Sequence, residues 1–262
     1  MRSYPHSFYA GNLADVHKHS TLAWILSYLI RKDKPVTYID THSGRGLYNL
    51  SSVAAIKTGE ADQGILRPVV QSWFPSGHPY QKVLAKVRAA HGQSAYPGSP
   101  TIAQSFLRPI DTIHLAELHP AEAKALSKVV ANTAHVHTRD GFEMANAICP
   151  PMPRRGLMLI DPSYELQTDY DQIPKFLKRT AERWEVGILV LCYPLLAEPV
   201  HESMLQRLQQ LFPDAINHQV EFPATQAGHG MVGSGLFLIN SPYGLNIELA
   251  RLARCYQDAF SR

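Results

Sequence analysis

Gly156-Leu-Met-Leu-Ile-Asp161 is an apolar run that ends on a carboxylate and leads into Pro162-Ser-Tyr164. A short run with no polar alternation suits a strand buried on both faces, and such strands belong to parallel sheets covered by helices. The same form appears in Val36-Thr-Tyr-Ile-Asp40, in Thr112-Ile-His-Leu-Ala-Glu117 and in Gly187-Ile-Leu-Val-Leu-Cys192, the last inside the longest apolar stretch, 186–194. His135-Val-His-Thr138 is a shorter candidate that precedes Asp140-Gly141. Helical patterns fall at 12–32, 120–131, 171–184 and 198–211. Strands alternating with helices predict an α/β fold built on a mostly parallel, doubly wound sheet. Segments 216–222 and 235–240 read as strands joined without a helix, hence an antiparallel hairpin at the sheet edge, with 228–235 a mobile loop before its second strand. The interval from Asp40 to Thr112 is too long for one crossover. Residues 50–100 are therefore expected to form a small helical insertion within a single domain, 1–262.

Composition narrows the class without choosing the function. The chain has 262 residues, 45% hydrophobic and 18% charged, and can bury a core without metals or disulfides. Its net charge of +3 tolerates a polyanionic partner but does not demand one. Cys149, Cys192 and Cys255 are far apart and lack C-x-x-C spacing, which argues against a disulfide framework and for a reducing cytoplasm. The first residues have no apolar signal core, and no apolar run approaches the ~18 residues of a membrane span. Histidines are plentiful, but no H-E-x-x-H or similar spacing appears, so no metal is expected.

Open parallel sheets bind ligands at the carboxyl ends of their strands, near the point where strand order reverses. Asp40, Glu117, Asp140 and Asp161 all fall at such ends, although an acid there also caps the next helix. The turn Asp40-Thr-His-Ser-Gly-Arg-Gly46 has two glycines for a tight approach, but is neither a full G-x-G-x-x-G nor a P-loop. Glu117 would accept hydrogen bonds from a ribose, which S-adenosylmethionine and NAD both carry. Asp140 would meet an adenine amine with Phe142 against the ring, or it would simply cap the helix that follows.

Asp161-Pro-Ser-Tyr164 resembles the [DNS]-P-P-[YF] motif of methyltransferases that act on amino groups of adenine or cytosine. The residue types suit that chemistry. The lone pair of an exocyclic amine is delocalised into the ring. A carboxylate and a backbone carbonyl, each accepting one N–H, draw the nitrogen toward tetrahedral geometry and free that pair. Asp161 and the Pro162 carbonyl would do this, with Tyr164 stacked on the base.

Longer strings carry a more specific resemblance. They are Tyr4-Pro-His-Ser-Phe-Tyr-Ala-Gly-Asn-Leu-Ala-Asp-Val-His-Lys-His19, Asp33-Lys-Pro35, Asp40 to Gly46, Tyr96-Pro-Gly-Ser-Pro100, Glu117-Leu-His-Pro120, Asp140-Gly-Phe142, Arg154-Arg-Gly156 through Glu165, and Gly230-Met231 with Ser234-Gly235. Through them the chain resembles, nearly end to end, the bacterial RlmJ family of 23S ribosomal RNA adenine-N6-methyltransferases. The resemblance implies a Rossmann-like class I methyltransferase fold with seven strands. It implies an S-adenosylmethionine pocket lined by His19, His42, Ser99, Glu117, Asp140, Gly141 and Asp161, and catalysis by Asp161, Pro162 and Tyr164. Tyr4 and His6 would lie near the target base and Lys18 would add charge. The partner would be naked or incompletely assembled 23S rRNA, met by a monomer in the cytoplasm, with the insertion as an RNA contact. The family's second motif proline is Ser163 here; Pro162, whose carbonyl is the expected acceptor, is kept, so activity is expected to survive.

Three other readings compete. A DNA adenine methyltransferase would use the same motif, but no DNA-reading module is visible. An NAD-dependent oxidoreductase would leave Asp161 to Tyr164 unexplained. A silent RNA-binding module would keep the fold and lose the chemistry. Charges around Asp15, Lys18 and His19 would otherwise merely solvate one helix face, and Arg2, Lys18, Arg45, Arg67, Arg154 and Arg155 are candidate phosphate contacts.

Overall fold

The computed structural model describes residues 6–165, 167–224 and 231–260. Strands β1 (Thr37–Asp40), β4 (Thr112–Ala116), β5 (His135–His137), β6 (Gly156–Ile160), β7 (Ile188–Leu196), β8 (Ile216–Glu221) and β9 (Met231–Ile239) form one sheet in the order β5-β4-β1-β6-β7-β9-β8. All neighbours through β7 are parallel, with Thr37 of β1 opposite both Thr112 and Gly156. β9 runs antiparallel between β7 and β8. This is the Rossmann-like arrangement expected, with the antiparallel hairpin at one edge.

β6 shows why its apolar run is unbroken. Leu157 and Leu159 pack into the hydrophobic cluster on one face of the sheet, Met158 and Ile160 into the cluster on the other. Each such burial stabilises the fold by roughly 1.5–3 kcal/mol, so neither face leaves room for a polar residue. One face is covered by α1 (Leu13–Leu29), α6 (Ser99–Phe106), α7 (Pro120–Val130) and α11 (Leu245–Phe260). The other carries α8 (Gly141–Ile148), α9 (Gln167–Arg183) and α10 (Glu202–Leu211). In α11 the buried residues Leu245, Leu249, Leu252 and Tyr256 recur at helical spacing.

Between β1 and β4 the chain makes β2 (Leu47–Asn49), four helices, α2 (Val53–Thr58), α3 (Glu60–Gln63), α4 (Pro68–Ser72) and α5 (Pro79–His91), and β3 (Ala95–Pro97). β2 and β3 pair antiparallel, Leu47 opposite Pro97. Gly98 N–H donates to the Gly46 carbonyl at 2.8 Å. The helical excursion is thus closed at its root, beside the first turn of the sheet.

Two sequence expectations change. Residues 231–235 are strand, not loop: Gly233, Ser234 and Gly235 pair with Leu195, Pro194 and Tyr193, and β7 continues to Leu196 to meet them. Glycines hide a strand because they carry no side chain to show its pattern. The rest of the proposed loop, 225–230, lies outside the described residues. The helix expected from 198 begins at Glu202, the segment before it containing Pro199.

α1 is buried around most of its circumference, including Asp15, His17, Lys18, His19, Ser20 and Thr21. Its charges do not solvate a surface. Buried polar groups on a core helix need partners, and those partners define the site.

Candidate active site

Strand order reverses between β1 and β6, since the chain leaves β1 for β4 and later returns to β1's other side. A cavity of about 790 Å³ opens there, at the carboxyl ends of the strands. His6, Lys18, His19, His42, Ser99, Glu117, Asp140, Gly141, Asp161, Pro162 and Tyr164 all line it. Tyr4 lies outside the described residues.

The turn after β1 is built around its glycines. Gly44 and Gly46 have φ of 60° and 81°, and a Cβ on Gly44 would sit 2.3 Å from the Tyr48 hydroxyl. Glu117 Oε2 accepts the Gly44 N–H at 2.9 Å and Oε1 accepts the His119 N–H at 2.8 Å. Burial pushes the Glu117 carboxyl up, partly offset by these bonds. Asp140 both lines the cavity and caps α8, its Oδ1 accepting the Glu143 N–H at 2.8 Å. The two sequence alternatives for Asp140 are therefore compatible. Phe142 packs edge-on against His42, with ring centres 5.3 Å apart. His19 is buried, with Nδ1 2.9 Å from the Tyr96 hydroxyl, and burial lowers its pKa to about 3, so it is neutral at physiological pH.

Asp40 is the exception among the strand-end acids. It is fully buried beneath the turn and does not line the cavity, with the Tyr38 hydroxyl donating to Oδ2 at 2.9 Å. Burial pushes its carboxyl up to about 6, against hydrogen bonds from Ser99, Tyr38 and the His42 N–H. Its contribution to stability is present in full below about pH 3.8 and is lost as pH rises through about 6. Asp40→Asn has no such proton to lose. The stability difference between wild type and Asp40→Asn should therefore fall by about 2–3 kcal/mol from about pH 4 to about pH 7 in urea titrations. A difference that stays constant would contradict the raised value.

Asp161 projects from the end of β6. Lys18 Nζ donates to its Oδ2 at 2.6 Å and lies 2.8 Å from Asp15 Oδ1. Lys18 is only 8% exposed; burial pushes its pKa down, but Asp15 and Asp161 outweigh that and hold it well above its usual value. It is an internal ion pair, not a charge offered to phosphate. Other candidate phosphate contacts are also engaged. Arg45 pairs with Glu122 at 2.7 Å, Arg155 donates to the Leu29 carbonyl, Arg154 donates to the Arg183 carbonyl at 3.4 Å, and Arg67 lies over the Phe260 ring. Arg2 is outside the described residues. Pro162 is buried, and Tyr164 follows at φ 55°, a left-handed conformation that a bulky residue adopts only when its surroundings impose it. Its hydroxyl donates to the Cys192 carbonyl at 2.7 Å and its ring centre lies 4.9 Å from that of Tyr170.

Among the described residues, eight carboxylates line the cavity (Asp15, Glu60, Glu117, Glu122, Asp140, Asp161, Glu165 and Asp169) against one lysine and no arginine. That balance fits a cationic ligand such as a sulfonium. It opposes the pyrophosphate of NAD. Among the described residues no group of three or more His, Cys, Asp or Glu is arranged to hold a metal ion, and no helix is long and apolar enough to cross a membrane.

Sequence reasoning did not find Asp15, Leu118, Cys192 or Ser234 as lining residues. Leu118 carried a usable signal, a large apolar side chain next to a strand-end acid, and it is 57% exposed at the cavity rim. Ser234 was marked only within the string Ser234-Gly235 that resembles the family; the β7–β9 register is what brings it beside Pro194.

Comparison with known proteins adds an independent line. A family model described as "Ribosomal RNA large subunit methyltransferase D, RlmJ" matches residues 33–260. The chain is 38% identical over 254 residues to the Escherichia coli K12 protein named ribosomal RNA large subunit methyltransferase J, covering 95% of this chain and 90% of that one. It is 36% identical over 257 residues to the Haemophilus influenzae protein of the same name, covering 96% and 92%. A crystal structure of a Legionella pneumophila protein superposes with a TM-score of 0.86 at 35% identity, covering 96% of this chain and 94% of that one.

Proposed function

The chain belongs to the RlmJ family of ribosomal RNA large-subunit methyltransferases, and we propose that it methylates the N6 amino group of one adenine in 23S rRNA, using S-adenosylmethionine. One observation carries the chemistry: Asp161, Pro162 and Tyr164 line the same cavity as Glu117 and Asp140, at the switch point of the sheet.

When bound, S-adenosylmethionine supplies an electrophilic methyl group on a positively charged sulfur; the C–N bond forms as the C–S bond breaks, and the bonding pair stays on sulfur. Glu117 would orient the ribose and Asp140 the adenine of that cofactor, with Gly141, His42, Ser99 and His19 shaping the pocket around it. The neutral His19 adds no positive charge beside a sulfonium. Asp161 and the Pro162 carbonyl each accept one N–H of the target amine and free its lone pair. After transfer the nitrogen sheds one proton toward solvent past the Asp161 carboxylate. Tyr164, fixed by Cys192 and Tyr170, gives the base a rigid wall for stacking, typically worth ~1–3 kcal/mol. Placement and fixed charge therefore carry most of the catalysis.

Lys18 and His6 line the cavity on the proposed substrate side. Ser163 is exposed at the cavity and leaves the Pro162 acceptor in place, so methyl transfer is expected to survive the departure from the family motif. The reading extends to a monomer that acts in the cytoplasm on protein-free or partly assembled RNA, without a metal. The test is transfer of a labelled methyl group to protein-free 23S rRNA, followed by mass mapping of the product. N6-methyladenine at one site is expected; a methylcytosine, or no labelled RNA at all, overturns the reading. In calorimetry S-adenosylmethionine should bind and NADH should not.

A further inference from the structure

We propose that Asp15 is a positioning residue for methyl transfer: it keeps Lys18 paired while Asp161 turns to the incoming amine. The proposal rests on the methyltransferase reading above.

Asp15 is the third residue of α1 and is 2% exposed. Its two oxygens are divided between two tasks. Oδ1 faces Lys18 Nζ at 2.8 Å, with His19 Nε2 at 3.9 Å. Oδ2 accepts the Gly11 N–H at 2.9 Å and lies 3.0 Å from His6 Nε2. Lys18 is thus shared between two carboxylates, Asp15 and Asp161.

That sharing matters because Asp161 must change partners. In the resting site one of its oxygens is occupied by the Lys18 ammonium at 2.6 Å. An amine N–H seeking that carboxylate competes with a full positive charge. A buried ammonium released with no second anion would be strongly disfavoured. Asp15 supplies that second anion within contact distance, so Lys18 can shift its hydrogen bonding without becoming unpaired. Burial pushes the Asp15 carboxyl up, but chiefly His6 and Lys18 hold it well below the usual range, so it stays ionised through the neutral range. The same carboxylate fixes the turn His6–Phe8, whose His6 ring packs edge-on to Tyr48 at 5.3 Å.

The competing explanation is a helix cap. Asn12 accepts the Asp15 N–H at 2.8 Å and Asp15 accepts the Gly11 N–H, a reciprocal arrangement at the start of α1. Asp15→Asn separates the two, since it keeps an oxygen for Gly11 and removes the charge. Single-turnover methyl transfer to 23S rRNA is measured for wild type, Asp15→Asn, Lys18→Met and the double variant, with calorimetry for S-adenosylmethionine and a melting curve for each. Asp15→Asn should lower kcat by about 10- to 100-fold, with KM for RNA and cofactor affinity within about threefold of wild type. The double variant should be no slower than Lys18→Met alone, because Asp15 acts through Lys18. Asp15→Glu keeps the charge and should recover most of the lost rate; it carries the test if the Asn variant does not fold. A near-wild-type kcat for Asp15→Asn, losses that multiply in the double variant, or a Glu variant as slow as Asn each overturns the proposal. A wild type that methylates no RNA instead overturns the functional reading on which it stands.

Discussion

Asp161→Asn is expected to lower the rate of methyl transfer by about 10²–10³-fold, the scale seen when one preorganised electrostatic contact to a transition state is lost. The substitution is nearly isosteric, so the end of β6 and the following Pro162 should keep their places. What changes is the side chain's character. One oxygen becomes an NH₂, which presents a donor to a target amine that is itself a donor. The charge that faces the developing positive nitrogen disappears, and Lys18 keeps its pairing with Asp15. Binding should be far less affected. Glu117, Asp140 and the turn after β1 still line the cavity proposed to hold the cofactor, so its affinity should fall by no more than about tenfold, and RNA binding should persist. Single-turnover kinetics beside calorimetry and an RNA gel shift read the two effects separately. Equal losses in cofactor affinity and transfer rate would assign Asp161 to binding and leave the chemistry to another group.

The parts of the fold legible in the sequence were those whose surroundings are uniform. β6 and β7 are buried on both faces, so their apolar runs announce them. α8 was legible at its start because Asp140 is a capping residue there. Short or glycine-bearing elements were not. β2 and β3 have three residues each and exist because they pair with one another. The first turn of β9 reads as loop until β7 is placed beside it. The site divides in the same way. Glu117, Asp140 and Asp161 follow from position alone, since a strand's carboxyl end in such a sheet faces the ligand. Asp40 obeys the same rule in sequence yet points beneath the turn, where Tyr38 and Ser99 hold it. Strand alternation decides which way an acid faces, and a four-residue strand with every position buried offers no alternation to read. His19, His42 and Ser99 carried no signal in spacing or composition; only resemblance to a family marked them. Asp15 was visible as a charge in a helix, but its role depends on Lys18 and Asp161, and Asp161 is 146 residues away along the chain.

Gly141→Ala is expected to have the second large effect, and by a different route. Gly141 opens α8 at the point where that helix passes the turn after β1. A Cβ there would meet the Thr41 carbonyl oxygen at 1.8 Å, its carbon at 2.6 Å and the Thr41 Cβ at 2.8 Å. None of these is the far end of a flexible side chain. Thr41 N–H is itself bound to the Leu159 carbonyl at 3.1 Å, so the turn is tied to β6 and cannot yield cheaply. The helix must move instead, carrying Asp140 and Phe142 with it. Overpacking of this kind typically costs about 1–3 kcal/mol of stability. The displacement also separates Asp140 from Glu117 and His42 across the cavity. Cofactor affinity should therefore fall by about 30-fold or more, beyond what the loss of stability explains, because misplacement of about 1 Å in a positioning contact is enough for losses of that order. Urea unfolding and calorimetry with S-adenosylmethionine measure the two parts on the same protein. A destabilised variant that still binds the cofactor at wild-type affinity would mean that α8 can shift without opening the pocket, and that the close approach at Gly141 serves packing alone. Weak binding at nearly unchanged stability would point the other way, to a site whose geometry depends on this one contact more than the fold does.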